Sequence, residues 1–368
     1  MIARLLAEFP LAIDGPVIAA IAAGAPVEYS CSGGKDSVSI AHAVHQLLDS
    51  MGHPRDRRFM VHADLGRIEW RSTPATVEAA AESLGVPLTV VRRKGGDLVS
   101  RWERRFELGC RNYEQLLRYH LTAPWSSATN RFCTAELKTQ VILPELLRRH
   151  PGEQTISVVG IRREESLKRR LTPISKVEGK AFTRVNGASI LTWNAGVDVT
   201  EAQVFAHIAR HGLPLAEGYS LGCSRWGCAF CVLGAANDWK VAARAPGNLG
   251  VYRHLVDMEA SSTFSFAPER WLGDVAPDLL PPGLAADLEK GKRLSIARRR
   301  LEDSLPANLR YVKGWPQRIP TVEEASVIHD VRAQILAMHG LSTPYASAEL
   351  VRDRVAELFH TMRLKEAA

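Results

Sequence analysis

The sequence predicts an α/β protein, a doubly wound and mostly parallel sheet followed by a helical C-terminal region. Three observations carry this expectation. A short apolar run, Pro26 to Cys31, enters a glycine loop and then a stretch of helical periodicity from Ser37 to Leu48. The alternation recurs, with candidate strands at Arg58 to Asp64 and Pro87 to Arg92 around a helical Thr73 to Leu84. Beyond Gly234 the strand signals fade, and proline and glycine become frequent.

Further elements follow in order. Asp97 to Arg149 reads as helical. Thr155 to Gly160 and Ser189 to Trp193 are the next strands, separated by arginine-rich sequence. Thr200 to Gln203 forms a capping box in which the threonine caps the helix and the glutamine reaches back; Gly212 supplies the left-handed stop, so a helix spans Glu201 to His211. Two late helices are expected at Val322 to His339 and Ala348 to Leu364. These elements divide the chain into a nucleotide-binding domain over 1–235 and a mainly helical region over 236–368.

Composition narrows the function classes. With 46% apolar and 24% charged residues in 368, the chain buries a sizeable core and has no room for extensive disorder. No window reaches the roughly 20 uncharged apolar residues of a membrane span, and Met1 to Arg4 do not begin a leader, so a cytoplasmic protein with no membrane partner is expected. The net charge of +7 and pI of about 9.2 suit a polyanion, either nucleotide or nucleic acid, although part of this excess is solvated helix surface. Six cysteines, mostly clustered, are too few for a secreted disulfide framework and point to metal binding or catalysis.

Ser32-Gly33-Gly34-Lys35-Asp36-Ser37 lies between a strand and a helix, where a phosphate cradle is expected. The glycines let backbone N–H groups approach phosphate oxygens, and the helix N-terminus adds a favourable dipole. Lys35 adds a point charge, and Ser32 and Ser37 can donate hydroxyl hydrogen bonds. The Gly-x4-Gly-Lys spacing of a Walker A loop is absent. Asp36 and Asp64 stand at the carboxyl edge of parallel strands and suit Mg²⁺ or ribose hydroxyls; Arg162 suits a bidentate phosphate contact. A helix-capping aspartate and a surface arginine are the alternative readings of Asp64 and Arg162.

These residues resemble the PP-loop, or N-type ATP pyrophosphatase, superfamily, whose signature is Ser-Gly-Gly-x-Asp-Ser. Asp64-Leu65-Gly66 with Glu69, Gly160-Ile161-Arg162-Arg163-Glu164-Glu165-Ser166, Trp193 and Asp198-Val199 resemble segments of its phosphoadenylyl-sulfate (PAPS) reductase-like branch. The resemblance covers about Tyr29 to Leu233. It implies an adenine nucleotide alpha hydrolase-like fold, ATP or the sulfonucleotides PAPS and adenylyl sulfate as ligand, and Mg²⁺. It assigns nucleotide binding to Ser32 through Ser37, Asp64, Gly160 and Arg162, with Lys35, Asp36 and Arg162 as catalytic candidates.

Cys223, Cys228 and Cys231 form a C-x4-C-x2-C run, and Cys133 precedes Thr134 in a segment that resembles iron–sulfur members of this branch. Four thiols satisfy a [4Fe–4S] cluster or a four-thiolate zinc site; the solitary Cys133 favours the cluster, since zinc more usually has two paired knuckles. Cys31 and Cys110 read as packed small residues, with Cys110 a reserve ligand. His42 and His45, at i and i+3, have no evident third ligand and read as ordinary core or surface histidines.

Iron–sulfur adenylyl-sulfate reductases carry a late cysteine that attacks sulfur, and here no cysteine follows Cys231. The chain is more similar to the Dnd and Ssp sulfurtransferases of DNA phosphorothioation. That resemblance implies cleavage of ATP between the α and β phosphates, adenylation of a target, and sulfur incorporation. The implied partners are nucleic acid, DNA ahead of tRNA, and a sulfur donor such as a cysteine desulfurase. PAPS or adenylyl-sulfate reduction is the first alternative, and a silent nucleotide-sensing subunit that binds nucleic acid is the second.

Overall fold

The computed structural model describes residues 6–179 and 187–367, so Met1 to Arg4, considered above as a leader, lie outside the described residues. The chain divides into two compact units, Met1–Leu98 with Ala128–Asn248, and Val99–Ser127 with Leu249–Ala368. This division differs from the expected 1–235 and 236–368. The boundary falls after Asn248, and Val99–Ser127 joins the later helices.

The first unit is built on strands β1 (Val27–Ser30), β2 (Arg58–Asp64), β3 (Leu88–Arg92), β4 (Gln154–Val159), β5 (Ser175–Val177) and β6 (Ser189–Trp193). They form one sheet in the order β3-β2-β1-β4-β6-β5, parallel except for β5 against β6. The strands expected from apolar runs are present. The antiparallel edge strand β5 was not expected, because Ser-Lys-Val is too short and too polar to declare itself.

Alternation along the strands divides the side chains between two cores. Val27, Tyr29, Met60, Ile156, Val158, Leu191 and Trp193 face a core shared with helices α1 (Gly15–Ala22), α2 (Lys35–Ser50), α3 (Thr73–Leu84) and α6 (Glu201–His211). Phe59, Val61, Ala63 and Ile190 face the other way, against Ile142, Leu143, Leu146 and Leu147 of α5 (Gln140–Arg149). Helices on both faces make the sheet doubly wound. The α6 helix is capped as the sequence requires: the Gln203 amide N–H donates to Thr200 Oγ1 at 3.3 Å, Thr200 N–H donates to Gln203 Oε1 at 2.8 Å, and Gly212 closes the helix at φ 58°.

The strand order reverses beside β1. The chain moves from β1 to β2 and β3 on one side and returns to β4 on the other, which makes the carboxyl end of β1 a topological switch point. The loop Ser32 to Ser37 leaves the sheet at that place.

The second unit is helical. It contains α4 (Leu98–Glu114, apart from its first residue), α8 (Leu249–Ser262), α9 (Pro282–Ser304), α10 (Val322–Met338) and α11 (Ala348–Ala367), after α7 (Ala236–Arg244) ends the first unit. Tyr113, Leu116, Leu305, Ile328, Ile335 and Val351 share its core. The buried Arg332 donates to Tyr113 O at 2.6 Å, which gives an interior charge an acceptor. Among the described residues no helix is long and apolar enough to cross a membrane.

One acid is buried in the centre of the sheet. Glu28 of β1 accepts from Ser157 Oγ at 2.7 Å and from Ser30 Oγ at 2.9 Å, and burial raises its carboxyl from 4.5 to about 8. The unfolded chain releases this proton near 4.5, whereas the folded chain keeps it to about 8, so stability falls as pH rises through that window. We therefore predict that Glu28→Gln gains on the parent by roughly 2–4 kcal/mol between pH 5 and pH 8. Urea midpoints at the two pH values measure this; a constant difference between parent and variant would refute a protonated Glu28.

Candidate functional site

The phosphate-loop candidate is held by its own backbone and hydroxyls. Gly33 takes φ 73°, a left-handed turn that glycine makes without strain, and Gly34 is the N-cap of α2. Ser37 Oγ donates to Gly34 O at 2.9 Å and accepts from Ser32 N–H at 3.3 Å, which closes the loop over the first turn of the helix. Gly160, just after β4, lies against this turn. A Cβ there would stand 2.8 Å from both Cα and N of Ser37, so the approach admits only glycine.

The charges around the loop form one network. Lys35, 5% exposed, donates to Asp36 Oδ2 at 3.0 Å and pairs with Glu201 Oε1 at 3.1 Å. Burial by itself would lower this ammonium; Tyr219, Asp36 and Glu201 outweigh it and hold Lys35 above the ordinary lysine value. The rings of Phe205 and Tyr219 cover Lys35 Nζ at 5.8 and 5.6 Å. Arg162, 4% exposed, donates from Nε to Asp36 Oδ1 at 2.6 Å and from a terminal nitrogen to Glu164. Asp36 thus bridges the two cations that the sequence singled out. Arg169 pairs with Glu165 and lies near Arg131, Arg225 and Arg162; burial and then Arg131 and Arg225 lower its pKa, while Asp36 acts in the opposite direction.

Asp64 is engaged otherwise. Its Oδ1 accepts from Gly66 N–H at 2.6 Å and its Oδ2 from Arg92 at 2.5 Å, so it organises the turn after β2. Glu69 instead pairs with His62 at 3.3 Å, and His62 also bonds the Cys31 carbonyl at 2.9 Å. Burial disfavours the His62 cation, but Glu69 and the Cys31 carbonyl more than offset it and raise the pKa.

The cysteine segment packs beside the phosphate loop. Cys223, Cys228 and Cys231 line one small cleft with Trp70, Asp238 and Trp239. Cys228 also feels Lys138 and Cys133; burial and then Cys231 push its thiol well up. Cys133, on the short helical turn Phe132–Thr134, thus reaches Cys228 from a separate segment, while Cys223 meets Cys228 and Cys231 only at the lining of the cleft. Asp238 ties the segment together by accepting from Ser224 N–H at 2.7 Å and Ala235 N–H at 3.1 Å. Cys31 is buried behind the loop, and Cys110 belongs to the core of the second unit, where burial pushes its thiol up to about 11.

Trp226 links the two features. It stacks on Trp70 with centroids 4.9 Å apart, and its Cδ1 lies 3.4 Å from where a Gly34 side chain would begin. Its Nε1, close to Gly33, is buried and has no hydrogen-bond partner. Glu201, Tyr219 and Arg169 were not singled out from sequence. They reach the loop only through tertiary packing, which no local spacing reports.

Gly160→Ala is predicted to push α2 off the end of β4. Stability should fall by about 1–3 kcal/mol, as for an overpacked core, and adenine-nucleotide affinity by at least about tenfold. Equilibrium unfolding and titration calorimetry measure the two effects; unchanged affinity would show that this contact does not shape the site.

Comparison with known proteins places this geometry. No curated protein matches the chain. Among solved structures, the phosphate complex of phosphoadenylyl-sulfate (PAPS) reductase from Candida auris is similar at 15% identity and a TM-score of 0.35, over 55% of this chain and 81% of that one. The family model described as "phosphoadenosine phosphosulfate reductase domain" matches residues 26–233, more than half of the 368. The chain, whose Ser32 to Ser37 loop, switch point and cysteine segment all fall within that match, belongs to the phosphoadenosine phosphosulfate reductase domain family.

Proposed function

We propose that this protein binds an adenine nucleotide by its phosphates at the Ser32 to Ser37 loop and acts on the bond at the α-phosphate. The observation that carries this is the network in which Asp36 holds Lys35 and Arg162 at the mouth of the loop. An incoming phosphate replaces the carboxylate as their partner, and charge developing on a leaving pyrophosphate is then met by fixed cations. The unpartnered Trp226 N–H, with the loop amides, supplies a further donor.

With ATP, an acceptor oxygen attacks the α-phosphate, the bond to the bridging oxygen breaks, and pyrophosphate leaves with the electron pair. The outer sulfur of a persulfide donor then attacks the activated acceptor and displaces AMP, and a second thiol forms a disulfide with the donor cysteine, which breaks the S–S bond and releases the thiolated product. The acceptor in this reading is nucleic acid, with DNA ahead of tRNA, and Arg131, Arg169 and Arg225 give the surrounding positive charge that a polyanion needs. The placement of the thiols supports it, because Cys133, Cys228 and Cys231 are gathered together in a packed setting.

A second reading, reduction of PAPS or adenylyl sulfate to sulfite, is favoured by the family to which the chain belongs. In that case a thiolate attacks the sulfate sulfur, the bond from sulfur to the nucleotide oxygen breaks and the nucleotide leaves, and a second thiol from the donor forms a disulfide with the first and releases sulfite; the late cysteine that would attack is missing here, so the nucleophile would have to be another thiol.

Two inorganic groups suit the residues present. Mg²⁺ would be held by oxygen ligands from Asp36 and Glu201 once phosphate has displaced them from Lys35, and would neutralise phosphate charge. Cys133, Cys223, Cys228 and Cys231 would hold a [4Fe–4S] cluster, which supplies electron transfer or sulfur handling. What supports the thiol set is proximity in part: Cys228 interacts with Cys231 and Cys133, and Cys223 lines the same cleft as Cys228 and Cys231. Zinc is the alternative ion for the same thiols, although among the described residues no three of their sulfurs lie within 4.8 Å of one another, so a four-thiolate zinc would have to draw them together.

Pyrophosphate release from ATP, assayed with and without DNA or tRNA, and sulfite release from PAPS or adenylyl sulfate with a thiol donor separate the two readings. Pyrophosphate without sulfite is expected, with Lys35→Ala losing at least about a hundredfold in rate. Sulfite alone would establish the reductase reading, and neither product from any nucleotide would refute both.

Trp226→Phe should keep the stacking and weaken phosphate-bearing nucleotides by about tenfold, the worth of a hydrogen bond to a charged group. Equal weakening of adenosine would refute a phosphate contact. Anaerobically purified protein should absorb in the visible range, and Cys228→Ser should remove that absorbance; a colourless, zinc-loaded parent would refute the cluster.

A further inference from the structure

His42 keeps company in the fold that its sequence neighbours do not reveal. It lies on α2, whereas His207 and His211 lie one turn apart on α6. The three side chains offer ligand nitrogens that all lie within 4.8 Å of one another, the one such group of three or more metal-ligating residues among those described. His42 Nδ1 and His207 Nε2 are 2.9 Å apart, and the ring centroids are separated by 4.5 to 5.0 Å. His207 is buried, His42 half-buried and His211 exposed, so the group opens to solvent on one side. Phe9 packs on the His207 ring at 4.5 Å and closes the other. His45 turns elsewhere, to Tyr29 at 3.2 Å and Asp49 at 3.9 Å.

We propose that His42, His207 and His211 form a three-imidazole site for a divalent transition-metal ion of the zinc class, which pins α2 to α6. Histidines at i and i+4 on one helix face make a two-point chelate, and the neighbouring helix supplies the third nitrogen. A tetrahedral ion with metal–nitrogen bonds of about 2.0–2.1 Å holds its ligand nitrogens about 3.3 Å apart. The 2.9 Å between His42 Nδ1 and His207 Nε2 is close to that value, and the His211 ligand nitrogen lies within 4.8 Å of both partners.

An all-imidazole set selects zinc, copper or nickel over calcium and magnesium, which prefer oxygen. Burial, followed by neighbouring histidine charge, lowers His42 to about 4 and His207 to about 3, so both rings are neutral at pH 7. Glu8 and Arg210 flank His207 and pair with one another at 2.5 Å, which leaves little net charge against a cation. The site lies on the same two helices whose first residues, Lys35 and Glu201, form the ion pair beside the phosphate loop. It requires no particular reaction at that loop.

The alternative is a packed histidine cluster in which His42 and His207 simply share a hydrogen bond. The test is titration of chelator-stripped, full-length protein with Zn²⁺ against a chromophoric competitor, for the parent, His42→Ala, His211→Ala and the exposed control His360→Ala. Because the cysteines also bind zinc, Co²⁺ is titrated in parallel to distinguish nitrogen from thiolate ligation. The parent and His360→Ala should bind one ion that each of the other variants binds at least about tenfold more weakly, with cobalt d–d bands of nitrogen ligation lost in step. His211 is exposed, so its substitution spares the fold, and circular dichroism melts of ion-free protein verify this. Identical zinc isotherms and cobalt spectra for the parent and His211→Ala would overturn the proposal.

Discussion

Two cations and one carboxylate occupy the mouth of the phosphate loop, and the surrounding architecture serves to keep them there. Lys35, Asp36 and Arg162 come from two chain segments that meet because the sheet reverses its winding beside β1. Buried cations without partners would cost several kcal/mol each, so the fold is tolerable only while the carboxylates remain in reach. Glu201 contributes from the N-terminus of α6, and its position is fixed by the capping box immediately around it. The glycine at position 160 is what permits the closeness, since any side chain there would meet the backbone of Ser37.

Much of this was legible from the chain. Strands such as Arg58–Asp64 and Ser189–Trp193 announce themselves by apolar runs, and Glu201–His211 by a cap and a glycine stop, because those signals are local. The loop was legible for the same reason. The division into units was not. Val99, Trp102, Phe106, Cys110 and Tyr113 form a helical stripe, but a stripe records only that a helix buries one face, never which core receives it. The pairing of Lys35 with Glu201 and the company of His42 are likewise products of tertiary packing, and the i, i+3 spacing of His42 and His45 pointed to a pair that the fold separates.

The cysteine segment and the nucleotide loop are joined mechanically as well as by proximity. Trp226 stands between Cys223 and Cys228 in sequence and rests on Gly33 and Gly34 in space, while Asp238 gathers the turn behind it. The stacked indoles of Trp226 and Trp70 thus lie between the thiol segment and the loop. This arrangement suits either chemistry proposed for the family member, since both place phosphate against the loop and sulfur chemistry near the thiols.

On the proposed function, the carboxylates around Lys35 and Arg162 would make the loop an anion exchanger rather than an empty receptor. Any ligand must displace groups that are already well placed, so what it gains is a difference between two sets of contacts. A singly charged anion offers too little to drive the exchange, whereas adjacent phosphates bring more charge and a chelating geometry. On that reading, selectivity for a polyphosphate over small anions would follow from the ion pairs already present at the loop.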